Sequence, residues 1–238
     1  VSDIDLDVKE SPDESTTKKG LLYFYDLKNK VESFAEKLKD KSSTDTVVIV
    51  PNNDYIQGAQ DLFGTEYVVT APEFLGMGSH NVVMYKCFEQ KAALSLSYID
   101  SNAVILNEEE KIAINELFVS MTRSEHSLTI CETNPSKNKP LFEKMNLSSL
   151  HEESEKDQNV DKLLEEMKIS SEEEWKDKII ELIKSGSDVV ARRICEGKFK
   201  DNANEVFESL EQSISGNQKA LNEKEGSVNV VSSSPSNE

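Results

Sequence analysis

Arg123 stands in the run Leu117-Phe118-Val119-Ser120-Met121-Thr122-Arg123-Ser124-Glu125-His126-Ser127-Leu128-Thr129-Ile130, where helical spacing gives way to a strand-like stretch. A guanidinium is always charged and presents a planar fork of donors that suits oxyanions such as carboxylate and phosphate. The same residue also suits the negative end of a helix dipole, as a plain C-terminal cation. Gly76-Met77-Gly78 is a second candidate, a glycine pair that would let the backbone approach a phosphate. It reads equally as a tight turn, because the helix signal that should follow such a pair is missing. His80, His126 and His151 share no i, i+4 spacing and no evident Ser or Cys nucleophile, so hydrolytic triad chemistry has nothing to recommend it. Cys87, Cys131 and Cys195 lie far apart without a C-x-x-C pair, which argues for buried thiols in a reducing compartment rather than zinc or disulfides. Glu108-Glu109-Glu110 and Glu172-Glu173-Glu174 fan around a helix and read as solvated first turns, where anions suit the dipole. The sequence contains no G-x-x-x-x-G-K-S/T loop and no strand ending in paired Asp-Glu, so this chain alone cannot complete an ATP site.

The elements that must position these residues follow an α/β rhythm. Residues 1–20 are rich in Asp, Glu, Ser, Thr and Lys and read as disordered or linker. Leu22, Tyr25, Val31, Phe34, Ala35 and Leu38 recur at three- and four-residue steps and predict one amphipathic helix from Leu21 to Lys39. Thr46-Val47-Val48-Ile49-Val50 predicts a strand buried on both faces of a parallel sheet, closed by Pro51-Asn52-Asn53. A helical stretch over 54–63 leads through Gly64 to strands over 66–70 and 81–85, with a loop carrying Pro72, Gly76 and Gly78 between them. After a less regular stretch from Phe88 to Leu106, Asn107 is the expected N-cap of a helix over 108–121, and a strand over 127–131 follows.

Beyond Asn134-Pro135-Ser136 the character changes, and residues 148–160 read as a connector between a sheet domain of 21–147 and a helical extension of 161–214. Within the extension, Ser170 or Ser171 with Glu173 and Glu174 predicts a capping box ahead of Trp175, Ile179, Leu182 and Ile183, with Gly186 as the stop. Two further helices are expected over 188–196 and 202–214, and residues 215–238 read as a disordered tail.

The chain has 238 residues and a net charge of -18, a field that repels phosphate backbones and disfavours nucleic-acid binding by this piece alone. No segment approaches the roughly 18–20 consecutive apolar residues a membrane span needs, nor is there a basic-then-apolar start. A soluble intracellular protein, cytoplasmic or nuclear and without a membrane partner, is the expectation. The first residue is Val1 rather than Met, which suggests an excised piece whose missing part carries further chemistry.

The run around Thr122 and Arg123 resembles motif VI of the UvrD/Rep-type superfamily 1 helicases, written Y-V-A-x-T-R-A-x-x-x-L. In that family the arginine reaches across a cleft between two lobes to the γ-phosphate. The stretch from Tyr67 to Tyr85 is similar to motif V, V-x-T-x-H-x-x-K-G-L-E-F-x-x-V, with Thr70 and Gly76 on matching positions. Pro72, Leu75 and Gly78 stand where the family has its histidine, lysine and glutamate, and Pro51 stands where motif IV has an arginine. The resemblance covers residues 44 to 133. It implies a RecA-like parallel sheet flanked by helices, followed by a small all-α extension.

By the same resemblance, Arg123 is an arginine-finger-like residue, Gly76, Thr122 and Arg123 face a nucleotide, and Thr70 lies towards nucleic acid. ATP and Mg²⁺ are implied only for a complete two-lobe protein, whose N-terminal lobe would belong to the same polypeptide. A rival expectation is a catalytically degenerate module acting as a scaffold, with protein partners on the helical extension. Trp175, Leu182, Gly186, Ala191 and Cys195 also resemble a tetratricopeptide-like helix pair, although the spacing departs from the family's pattern and packing of a helical hairpin explains them equally.

Overall fold

The computed structural model describes residues 21–26, 31–88, 107–132 and 164–228. Its sheet unit runs β1 (Leu21–Asp26), α1 (Val31–Lys39), β2 (Thr46–Val50), α2 (Ile56–Phe63), β3 (Val68–Thr70), β4 (Ser79–Tyr85), α3 (Glu108–Met121) and β5 (Ser124–Glu132). Three helices follow, α4 (Glu172–Lys184), α5 (Asp188–Phe199) and α6 (Ala203–Val228). The five strands form one all-parallel sheet in the order β1-β5-β4-β2-β3. The chain is an α/β protein of RecA-like arrangement with a helical C-terminal region.

Every residue of β2 is buried, which its unbroken β-branched run requires of a strand covered on both faces. Val47 and Ile49 face one side of the sheet with Val69, Val82, Met84, Leu128 and Ile130. Val48 and Val50 face the other with Val68, Val83 and Cys131, and there α1 and α2 pack through Phe34, Leu38, Ile56, Ala59 and Phe63. Connections that step one way along the sheet, through α1 and α2, lie on this second face. The steps back from β3 to β4 and on to β5 lie on the first face, where Phe74 and Leu117 are buried. Opposite faces for opposite directions is what a single crossover hand demands.

The step from β3 to β4 spans only residues 71–78 and contains no helix, so it covers little of the first face. The C-terminal helices fill that space. Trp175, Ile179, Leu182, Val190, Ala191, Ile194 and Phe207 are buried in the same core as Val47, Ile49 and Tyr67. The helical segment and the sheet therefore share one core, and the residues that suggested a repeat, Trp175, Leu182, Ala191 and Cys195, are spent on that shared packing.

Both expected caps are formed. Asn107 accepts from the Glu110 N–H while the Glu110 side chain accepts from the Asn107 N–H, and Ser171 and Glu174 do the same at α4. Gly64 ends α2 in the left-handed region at φ 63, with its N–H on the Gln60 carbonyl.

Several expected bounds are corrected. Residues 21–39 are not one helix: Leu21–Asp26 is an edge strand paired in parallel with β5, and the helix begins at Val31. The unbroken run Leu21-Leu22-Tyr23-Phe24-Tyr25 satisfied helical steps through its apolar density rather than through a period, and sheet pairing decided the outcome. The strands expected at 66, 81 and 127 begin at Val68, Ser79 and Ser124, because Val68 first closes a turn onto the Glu66 carbonyl and β4 carries an irregularity between Ser79 and Asn81. The second and third C-terminal helices extend to Phe199 and Val228, so the tail expected from Ser215 continues the backbone helix, in keeping with helix formers such as Gln218, Lys219, Ala220 and Leu221. The linkers at 1–20 and 148–160 and the stretch from 89 to 106 lie outside the described residues.

Candidate functional site

A parallel sheet has an amino edge and a carboxyl edge, and the candidate residues divide between them. Thr70 ends β3 and, through the pairing of Val50 with Thr70, lies at the carboxyl edge beside Pro51. Thr122 and Arg123 precede β5 at the amino edge, where the Ser79 N–H donates to the Arg123 carbonyl at 3.1 Å. The seven residues of β4 separate the two edges by about 20 Å at the usual strand rise. One small ligand cannot touch both Thr70 and Arg123. Gly76, at φ 82, lies in the strap that crosses between the edges, and nothing would crowd a Cβ there within 4 Å. Its left-handed conformation makes it the turn residue of the strap.

At the amino edge, α3 ends at Thr122, whose N–H returns to the Phe118 carbonyl and whose hydroxyl donates to the Val119 carbonyl at 3.0 Å. Thr122 therefore spends its donors on closing the helix. Arg123 differs. Its Nε is buried and has no hydrogen-bond partner among the described residues, and no ion pair to it is formed there. Close by, an open cleft of about 320 Å³ is lined by Asp45, Gly78, Ser79, His80, Glu125 and Lys178 among others. Two carboxylates face one ammonium in it. Lys178 is further occupied by Glu181 at 3.1 Å and by the face of Tyr67.

Beneath the cleft runs a buried polar rung that no local pattern in the chain announces. The Ser127 hydroxyl donates to the Asn81 Oδ1 at 2.6 Å, and the Asn81 Nδ2 donates to the Thr46 Oγ1 at 3.4 Å, tying three neighbouring strands. His80 and His126 stack in parallel on adjacent strands with ring centroids 4.6 Å apart, and the His126 Nε2 lies 3.7 Å from Glu166. Among the described residues no group of three or more His, Cys, Asp or Glu is placed to hold a metal ion.

At the carboxyl edge, Thr70 is already engaged. Its N–H and its hydroxyl both donate to the Glu73 carboxylate, at 2.8 and 3.2 Å. Arg193 of α5 grips the same carboxylate at 2.8 and 3.4 Å and donates to the Val68 carbonyl at 2.7 Å. Burial alone would raise the Glu73 carboxyl, but the Arg193 and Thr70 hydrogen bonds and the Arg193 charge outweigh it and hold it below the usual carboxylate range. Neither Glu73 nor Arg193 was a sequence candidate.

The free thiols sit where the cysteine spacing implied. Cys87, Cys131 and Cys195 are all buried and unbridged. Burial, with the neighbouring Glu132 charge and Cys87, pushes the Cys131 thiol well up, so it stays protonated and inert.

No family model, curated protein or solved structure matched this chain. Residue geometry alone therefore carries the functional argument. No helix among the described residues is long and apolar enough to cross a membrane.

Proposed function

We propose that this chain is the second lobe of a helicase-like nucleotide cleft of UvrD/Rep type, completed by a first lobe elsewhere in the same polypeptide and served by Arg123. The observation that carries the reading is the buried Arg123 Nε, without a partner among the described residues, in a chain whose 45 acidic residues outnumber its 27 basic ones. A guanidinium nitrogen left without a partner among the described residues suits a phosphate oxygen brought against it. ATP and Mg²⁺ belong to the two-lobe assembly and not to this chain by itself.

The test uses the isolated chain and the longer two-lobe polypeptide side by side. The isolated chain is expected to show no ATP turnover in a phosphate-release assay. In the longer polypeptide, Arg123→Ala should lower kcat by about 10³-fold or more, the usual effect of losing an arginine finger. Equal turnover with and without Arg123 would sink the reading.

A second reading, a catalytically degenerate scaffold that contacts protein partners through α4–α6, is favoured by two observations. Glu73, held by Arg193, occupies Thr70, and Asp45 and Glu125 oppose phosphate in the cleft near Arg123. Both also argue against nucleic-acid contact. Labelled single-stranded DNA should accordingly show no anisotropy change with the chain at about 0.15 M salt, given its net charge of -18. Tight binding that weakens steeply as salt is added would reveal a basic face and remove the objection.

A further inference from the structure

In an open parallel sheet, ligands bind outside the carboxyl ends of two neighbouring strands whose connections leave to opposite faces. Here those strands are β2 and β4. The chain leaves β2 for α2 on one face, and α3, which follows β4, packs Leu117 on the other. The crevice between their carboxyl ends is at the far edge of the sheet from Arg123.

Lys86 stands at the carboxyl end of β4. It is the first residue past β4 and adopts φ 57, a left-handed conformation that a lysine takes only against a steric cost. Its N–H is tied to the Cys131 carbonyl at 2.9 Å, which holds the backbone in place. Its ammonium lies 5.3 Å from the ring centroid of Tyr85, on its own strand, and 5.6 Å from that of Tyr55, in the turn after β2. The charge therefore bridges the two strands. Among the described residues Lys86 forms no ion pair and neither tyrosine hydroxyl has an acceptor.

Two carboxylates lie on neighbouring elements. Glu132, fully buried at the end of β5, accepts the Phe88 N–H at 2.9 Å, and Asp54 lies in the first turn of the short 3₁₀ helix that precedes α2. Three donors without acceptors, one of them charged, beside the start of a helix, suit a compact oxyanion carrying more than one negative charge. We propose that the crevice between the carboxyl ends of β2 and β4 binds a small phosphate-bearing ligand, with Lys86 as its counter-charge and the Tyr55 and Tyr85 hydroxyls as donors.

Pyrophosphate titrated calorimetrically into the 238-residue chain at fixed ionic strength is the direct probe. Saturable one-site binding is expected, weakened tenfold or more by Lys86→Gly and severalfold by Tyr55→Phe or Tyr85→Phe. Glycine takes φ 57 without strain, so Lys86→Gly should melt no lower than the parent, and its lost binding cannot be ascribed to unfolding. Lys184→Ala, which removes an exposed charge at the end of α4, should leave binding unchanged. No saturable heat at millimolar pyrophosphate would overturn the proposal. So would binding that Lys86→Gly leaves intact, or that Lys184→Ala weakens as much.

Discussion

Ending the chain at residue 160 is expected to abolish cooperative folding rather than to release a stable sheet domain. The first face of the sheet, with Val47, Ile49, Val69, Val82, Met84, Leu128 and Ile130, would lose Trp175, Ile179, Leu182, Val190, Ile194 and Phe207 at one stroke. The second face would lose Leu164 and Met167 as well. A fully buried large apolar side chain contributes about 1.5–3 kcal/mol, and a domain's net stability is about 5–15 kcal/mol. Eight such losses come to about 12–24 kcal/mol before the ordering cost of the removed helices is set against them, a sum as large as that margin or larger. The residue 71–78 strap cannot compensate, because it contributes only Ala71, Phe74 and the partly buried Met77 to that face. Circular dichroism should show no sharp thermal transition for the shortened chain, and a dye that reports exposed apolar surface should brighten on binding it. A single steep melt near that of the full chain would mean that the helices are an appendage after all.

Arg193→Ala is expected to be the most damaging single change to a polar residue, at about 2–4 kcal/mol. Arg193 and Glu73 are 18% and 21% exposed, so the pair is shielded enough for its loss to register. Removing the guanidinium leaves Glu73 a half-buried carboxylate without its partner and strips the Val68 carbonyl of its donor. Arg193→Lys should recover only part of the stability, since an ammonium cannot reproduce the fork that meets carboxylate and carbonyl together.

The sign of the pH effect follows from the lowered Glu73 carboxyl. Its contribution is present above the unfolded value of about 4.3 and is lost as pH falls through the folded one. Urea melts of the parent should therefore lose stability faster than those of Arg193→Ala as the pH drops below about 4.3. Parallel pH curves for the two proteins would show that Arg193 does not hold the carboxyl down.

The parts legible in the sequence were those fixed by neighbours in the chain. The buried run at β2, the Asn107 and Ser171 caps and the glycine stop at Gly64 each depend on a few adjacent residues. What depended on strand order stayed hidden. Thr70 and Arg123 look like partners in one motif series, yet a parallel sheet sends the end of β3 and the start of β5 to opposite edges. The Arg193 and Glu73 contact joins positions 120 residues apart, and no local pattern announces it. Lys86 was equally silent, because a left-handed lysine has no sequence signature. The first strand was missed for a different reason, in that an apolar run without a clear period fits helix and strand alike.

The Arg193 and Glu73 pair also decides where the sheet stops. On β3 the Tyr67 carbonyl turns inward to Val48, which leaves the Val68 carbonyl and the Thr70 N–H pointing away from the sheet. These are the two groups that one residue of another parallel strand would engage with its own N–H and carbonyl. The guanidinium supplies the donor and the carboxylate supplies the acceptor. Two side chains thus impersonate a single residue of a sixth strand, and the template that an open edge would offer to another molecule is already filled.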